Sequence, residues 1–282
     1  MKISDIKELE IKANHIRRNI IEQIYAAKSG HPGGALSCTD ILTALYFNQM
    51  NIDEKKPNAL QRDRFVLSKG HASPALYATL AERGYFSKNE LKTFRSIQGN
   101  LQGHPDMNKV KGVDATTGSL GQGLSIANGM AINSKINHDG YRVYCLLGDG
   151  EIEEGQVWEA AMTASHYQLD NLCVIIDNNN LQIDGKIEDV AGLTNIEEKF
   201  KSFGFEVLTI DGHNFKDILE AFQIARKTKG KPTAIVAKTV KGKGVSFMEN
   251  QAGWHGKAPN EEQYKQAIME LSNAIISKNR AE

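Results

Sequence analysis

Gly148–Leu181 reads GDGEIEEGQVWEAAMTASHYQLDNLCVIIDNNNL, and this stretch decides the fold. The run ahead of it, Tyr141–Leu147 (YRVYCLL), predicts a strand that breaks at Gly148-Asp149-Gly150. A helical stretch follows from Glu154 to Tyr167, and a second strand over Leu172–Ile176 (LCVII) stops at Asp177-Asn178-Asn179-Asn180. Strand, helix, strand is a right-handed crossover, so both turns are expected side by side at the carboxyl edge of a parallel sheet. There one carboxylate and one amide oxygen can share a hard cation, while glycines let a phosphate approach the backbone. Mg²⁺ takes few protein ligands and fills its octahedron with phosphate and water, so the set suits a metal-held diphosphate. Either motif alone reads more simply as a turn, because Gly, Asp and Asn dominate turns. The two together, at this spacing across one crossover, do not.

Outward from this unit, residues 5–28 place Ile6, Leu9, Ile16, Ile20 and Ile24 near helical spacing. Proline and three glycines in Ser29–Gly34 are expected to stop that helix, with a new one over Ser37–Phe47. Arg64–Leu67 reads as a short strand, Pro74–Arg83 as a helix, and Ser87–Arg95 as a helix with a Ser87/Glu90 capping box. Gln98–Gly123 is turn-rich and too long for a plain connector. Leu124–Asn133 is an apolar helix, and Phe205–Ile210, Phe215–Arg226 and Thr233–Val240 give strand, helix, strand. The alternation predicts an α/β fold: one doubly wound parallel sheet flanked by helices, a single domain over 1–282. Residues 261–282 are expected as a polar helical tail.

The charges balance at 34 basic and 34 acidic residues, which gives no footprint for nucleic acid or an anionic membrane surface. No apolar run approaches the ~18 residues of a membrane span, and the N-terminus reads as a charged amphipathic helix rather than a signal peptide. A cytoplasmic location is expected. Cys38, Cys145 and Cys173 are odd in number, and two fall in strands, so all three are expected reduced and inert.

Five of the eight histidines adjoin a glycine: His31, His71, His104, His213 and His255. Each falls in a loop or at an element end, where a sheet edge carries chemistry on a rigid scaffold. Imidazole donates, accepts and transfers protons near neutrality, so several in one cleft suit a polyhydroxylated carbonyl substrate. Any one of them alone is as readily a turn histidine bonded to backbone. No HxxxH or CxxC spacing points to zinc.

The GDG…asparagine pattern resembles that of thiamin diphosphate enzymes. SGHPGG (29–34), SKGHAS (68–73), QGHP (102–105), DATTGSLGQGLSIANGMA (114–131) and WHGKAP (254–259) sharpen the resemblance to transketolase, from about residue 10 to residue 260. The resemblance implies a thiamin diphosphate-binding fold, with Mg²⁺ held by the side chains of Asp149 and Asn179 and the carbonyl of Leu181. It implies Gly150 at the diphosphate. His71, His255 and the loop Gly118, Ser119, Leu120 would line the cofactor, which Asn179 also meets. His31, His104 and His255 would face the donor sugar. Glu154 matches a glutamate that links paired active sites at the subunit interface, and His213 is left structural.

The chain resembles only the diphosphate-binding part of that family. The glutamate that activates the cofactor's aminopyrimidine lies in the family's pyrimidine-binding domain, and no segment here matches it. The implied protein is the N-terminal subunit of a split transketolase. It would act with a separate C-terminal subunit carrying the pyrimidine-binding and C-terminal domains, moving a two-carbon ketol unit between sugar phosphates in pentose phosphate metabolism. Self-association into at least a dimer, and a heterotetramer with the partner, is expected, with Leu120 and Ile152 as uncovered apolar residues. Other readings are the α chain of a 2-oxo acid dehydrogenase, which leaves SGHPGG, SKGHAS and QGHP unexplained, a deoxyxylulose-phosphate-synthase-like enzyme, and a non-catalytic cofactor-binding remnant.

Overall fold

In the computed structural model, which describes residues 2–280, five parallel strands form one sheet in the order β1-β2-β3-β5-β4. They are β1 (Arg64–Leu67), β2 (Val143–Gly148), β3 (Leu172–Asn178), β4 (Glu206–Asp211) and β5 (Thr233–Lys238). Side chains on each strand alternate between two cores, as the period of two requires. Val143, Cys145 and Leu147 of β2 face one, and Tyr144 and Leu146 face the other. Burial on both faces explains why these strands read as continuous apolar runs.

Helices α1 (Ile6–Ala27), α2 (Pro32–Ser37), α3 (Thr39–Ala44) and α4 (Ser73–Arg83) cover one face. Helices α5 (Gln122–Ile136) and α6 (Gly155–His166) cover the other. After the short α7 (Ile187–Val190), α8 (Ile196–Ser202) joins α5 and α6, and α9 (Phe215–Lys227) returns to the first face. The crossover through α6 sets β2 beside β3 in parallel, with Gly148 opposite Asp177. The two turns expected to meet therefore do.

Three expectations change. The second helix begins at Pro32 rather than Ser37, because proline lacks an N–H that a first helical turn does not use. The segment after Ser87 keeps its capping box but winds as a 3₁₀ helix over Lys88–Thr93. The expected polar tail is docked: α10 (Glu261–Arg280) buries Ala267 and Leu271 in the core, and Tyr264 stacks on Tyr25 at 4.0 Å. Its polar residues cover only the outer face. Residues 1, 281 and 282 of the expected domain lie outside the described residues.

Candidate cofactor and active site

The carboxyl ends of β1, β2, β3 and β5 open into a cleft of ≈ 240 Å³. On one wall are the two turns. Asp149, 2% exposed, accepts Asn180 N at 2.5 Å and Asn178 Nδ2 at 3.3 Å through Oδ2, and Gly150 N at 3.0 Å through Oδ1. No basic side chain forms an ion pair with it among the described residues. Burial, then the neighbouring Asp177, pushes its carboxyl up to about 6. Asn179 Oδ1 accepts Leu181 N at 3.1 Å, which folds the asparagine turn so that Asn179 and Leu181 both line the cleft.

A second wall is imidazole. The rings of His31, His71 and His255 lie 5.1 to 5.4 Å apart in every pairing. Burial lowers all three, with help from nearby cations: His31 to about 4, His255 to about 3, and His71 well below its ordinary value. Near neutral pH each ring is an uncharged donor and acceptor. His31 Nδ1 is buried and has no hydrogen-bond partner among the described residues. Such an atom is satisfied by a ligand or a water.

Gly118 and Leu120 line the cleft, while Ser119 is exposed and stands outside the lining set. His104 is exposed and sits against the Gly118 loop, where a Cβ on Gly118 would meet its Cγ at 3.1 Å. It occupies the rim, where burial and then Arg95 lower its pKa. Glu154 lies outside the cleft, exposed at the N-cap of α6. Ile152 is fully buried, not uncovered, because its side chain packs into the α5–α6 core; Leu120 is half-buried.

His213 lies outside the cleft lining. Its Nε2 accepts Val240 N at 2.8 Å, so Nδ1 carries the proton and donates to Asp40 at 2.7 Å. Asp40 also receives Arg17 at 2.5 Å.

Sequence reasoning passed over three charged residues. Lys241, 2% exposed, donates to the Leu181 carbonyl at 3.1 Å and to His255 Nδ1 at 3.0 Å. Burial and Lys69 bring its pKa down to about 8. Glu151 accepts Gly121 N and Gly148 N, each at 3.0 Å, and Ser68 Oγ, joining three loops. Lys69, which lines the cleft floor, pairs with the buried Asp177. Each has a one-letter neighbourhood of glycines and charges that looks like solvated loop; only burial distinguishes them.

The donors fit the group the fold implies. A carboxylate, an amide oxygen and a carbonyl form an all-oxygen set for a hard cation. A buried carboxylate that forms no ion pair is what such an ion would neutralise. Lys241 adds a cation beside it, and a Cβ on Gly150 would come within 3.1 Å of Gln182, so only glycine leaves the backbone clear there. A larger cavity of ≈ 600 Å³ adjoins the far side of the asparagine turn, but it contains no histidine.

Residues 9–273 match the family model described as "Transketolase, thiamine diphosphate binding domain". The chain is 43% identical over 270 residues to one subunit of the apulose-4-phosphate transketolase of Phocaeicola vulgatus, covering 96% of both chains. It is 45% identical over 264 residues to a 6-deoxy-6-sulfo-D-fructose transketolase subunit of Clostridium sp. (strain MSTE9), covering 94% of this chain and 96% of the relative. Human transketolase is 42% identical over 276 residues, but this chain spans only 44% of its length. The crystal structure of transketolase from Campylobacter jejuni superposes with a TM-score of 0.89 at 35% identity, over 97% of this chain and 46% of that one. The chain belongs to the transketolase family, whose thiamine diphosphate binding domain it carries.

Proposed function

We propose that the chain is the N-terminal subunit of a split transketolase in the cytoplasm, transferring a two-carbon ketol unit from a ketose phosphate to an aldose phosphate. The observation that carries this reading is the cleft itself, which three histidines and the oxygen donors of the two turns line together. Asp149, Asn179 and the Leu181 carbonyl would hold Mg²⁺, and Lys241 and the Gly150 backbone would meet the diphosphate. Bound thiamin diphosphate supplies the electron sink for carbon–carbon cleavage. The chain's own residues bind, orient and protonate. His71 and His255, with Gly118, Ser119 and Leu120, would line the cofactor. His31, His104 and His255 would hold the donor's carbonyl and hydroxyls and move protons at those oxygens. Neutral imidazoles suit this work, since each can give or take a proton.

The need for a partner is supported by the two relatives named as subunits, which match along nearly their whole lengths. Self-association to a dimer, and to a heterotetramer with the partner, is supported by Ile126 on α5 and Met162 on α6, 37% and 55% exposed on neighbouring helices. Exposed Glu154 would then link paired sites across that contact. A coupled ketol-transfer assay tests the reading: the purified chain should be inactive alone and gain activity when the complementary subunit is added. Robust transfer by the chain alone would sink it.

A further inference from the structure

At the cleft floor, where Lys69 is among the lining residues and Asp177 lies behind it, Lys69 Nζ and Asp177 Oδ2 form an ion pair, with residue exposures of 1% and 0%. Its other bonds reach further than the pair. Lys69 also donates to the Gly34 carbonyl at 2.9 Å. Asp177 accepts Ser37 Oγ at 2.5 Å and Thr239 Oγ1. Four separate segments thus meet at one point: the turn after β1, helix α2, and the ends of β3 and β5. Each delivers a cleft residue a few positions away, namely His71, His31, Asn179 and Lys241.

The packing around the pair is cleared for it. A Cβ on Gly34 would sit 3.3 Å from Lys69 Nζ and 3.5 Å from His71 Nε2. One on Gly70 would meet Gly118 N at 2.8 Å, so the lysine turn lies directly on the Gly118 loop. Stability alone does not account for such a pair, because desolvating two ions offsets much of their attraction. Fixed geometry does, since a saturated buried network permits few alternative arrangements.

We propose that Lys69 and Asp177 form a positioning pair that holds the histidine wall and the asparagine turn at one separation. The inference rests on the thiamin diphosphate reading of the cleft, and it gives both residues a role without making either a ligand.

The test compares Lys69→Met, Asp177→Asn and the double variant. Each single variant breaks a buried pair and is expected to lower the melting temperature. The double variant removes both charges and is expected to regain most of it. A merely structural pair would regain function along with the fold. For a positioning pair, calorimetry on the chain with its complementary subunit should still find Mg²⁺-dependent thiamin diphosphate affinity about 10–100-fold weaker, the loss seen when groups that orient ligands are removed. A second arm needs no cofactor: in ¹H–¹⁵N spectra of the chain, the imidazole resonances of His71 and His255 should move in the double variant while exposed His166 stays put. Either wild-type affinity or unmoved imidazole resonances in the folded double variant overturns the proposal. If the wild type itself binds no thiamin diphosphate, the cofactor reading fails and the imidazole arm alone decides the pair. Should the double variant not fold, the isosteric Asp177→Asn carries both readouts.

Discussion

The two walls of the cleft are assembled in opposite ways. The turn wall, Asp149, Asn179 and Leu181, comes from two turns that one crossover sets side by side, laced by backbone donors within 33 residues of sequence. The histidine wall gathers His31, His71 and His255 from segments up to 224 positions apart, and none of the three is held to another by a hydrogen bond among those described. A wall of the first kind is preset by local geometry, and losing one of its residues should remove a ligand while the rest stands. The second kind exists only because helices, loops and the Lys69–Asp177 pair beneath them are packed correctly.

Asp149→Ala attacks the local wall and carries the largest expected effect. It removes the one anionic donor of the proposed metal set, and Mg²⁺-dependent thiamin diphosphate retention should be abolished, with a loss above the ~10–100-fold typical of groups that merely orient ligands. Calorimetry on the assembled complex reads this, and circular dichroism should report an intact fold. Unchanged affinity would reduce the Gly148–Gly150 motif to a turn.

On the other wall, His31→Ala and His104→Ala should lower turnover or donor affinity by ~10²–10⁴-fold without weakening cofactor binding. The contrast between the walls would then appear as a separation of cofactor affinity from turnover. A loss of less than about tenfold at both positions would return them to turn histidines.

Gly70→Ala probes how tightly the walls are joined. Its new Cβ would stand 2.8 Å from Gly118 N, a backbone atom that can move only with its loop. Overpacking of this kind costs ~1–3 kcal/mol, which thermal unfolding should detect. No change in melting temperature would mean that the Gly118 loop yields freely.

Mild acid is the gentlest perturbation. His31 and His255 have folded pKa values of about 4 and about 3, below the ordinary 6.5. Between those limits the unfolded chain binds more protons than the folded one, so stability is present above pH 6.5 and falls as pH drops toward 3. Histidine resonances followed by NMR should show both rings neutral at about pH 6. Protonation of either ring near its ordinary pKa of about 6.5 would show that the wall is wetter than its packing implies.

Where an element is governed by short-range pattern, the sequence is readable. The apolar runs of β1, β2, β3 and β5 and the turn residues that end them are local features, and they appear in the structure within a few residues of their expected bounds. The crossover rule sets the two turns side by side, and Gly148 does lie opposite Asp177. Pro32 misleads because proline marks both the end of one helix and the first turn of the next, and only packing chooses. The docked face of α10 is hidden for a similar reason. Its apolar residues are sparse, and their value depends on α1 lying opposite.

From sequence alone came the α/β class, the parallel crossover, the pair of turns and the candidate histidines, because strand period, turn chemistry and chain handedness act over short distances. Only the tertiary structure decided that β5 inserts between β3 and β4, and that three histidines converge while His104 stays at the rim and Glu154 outside. It alone revealed that Lys69, Glu151 and Lys241 are buried charges rather than solvated loop residues. A side chain's burial and partners are set by segments remote in sequence, and no local pattern encodes which of them will arrive.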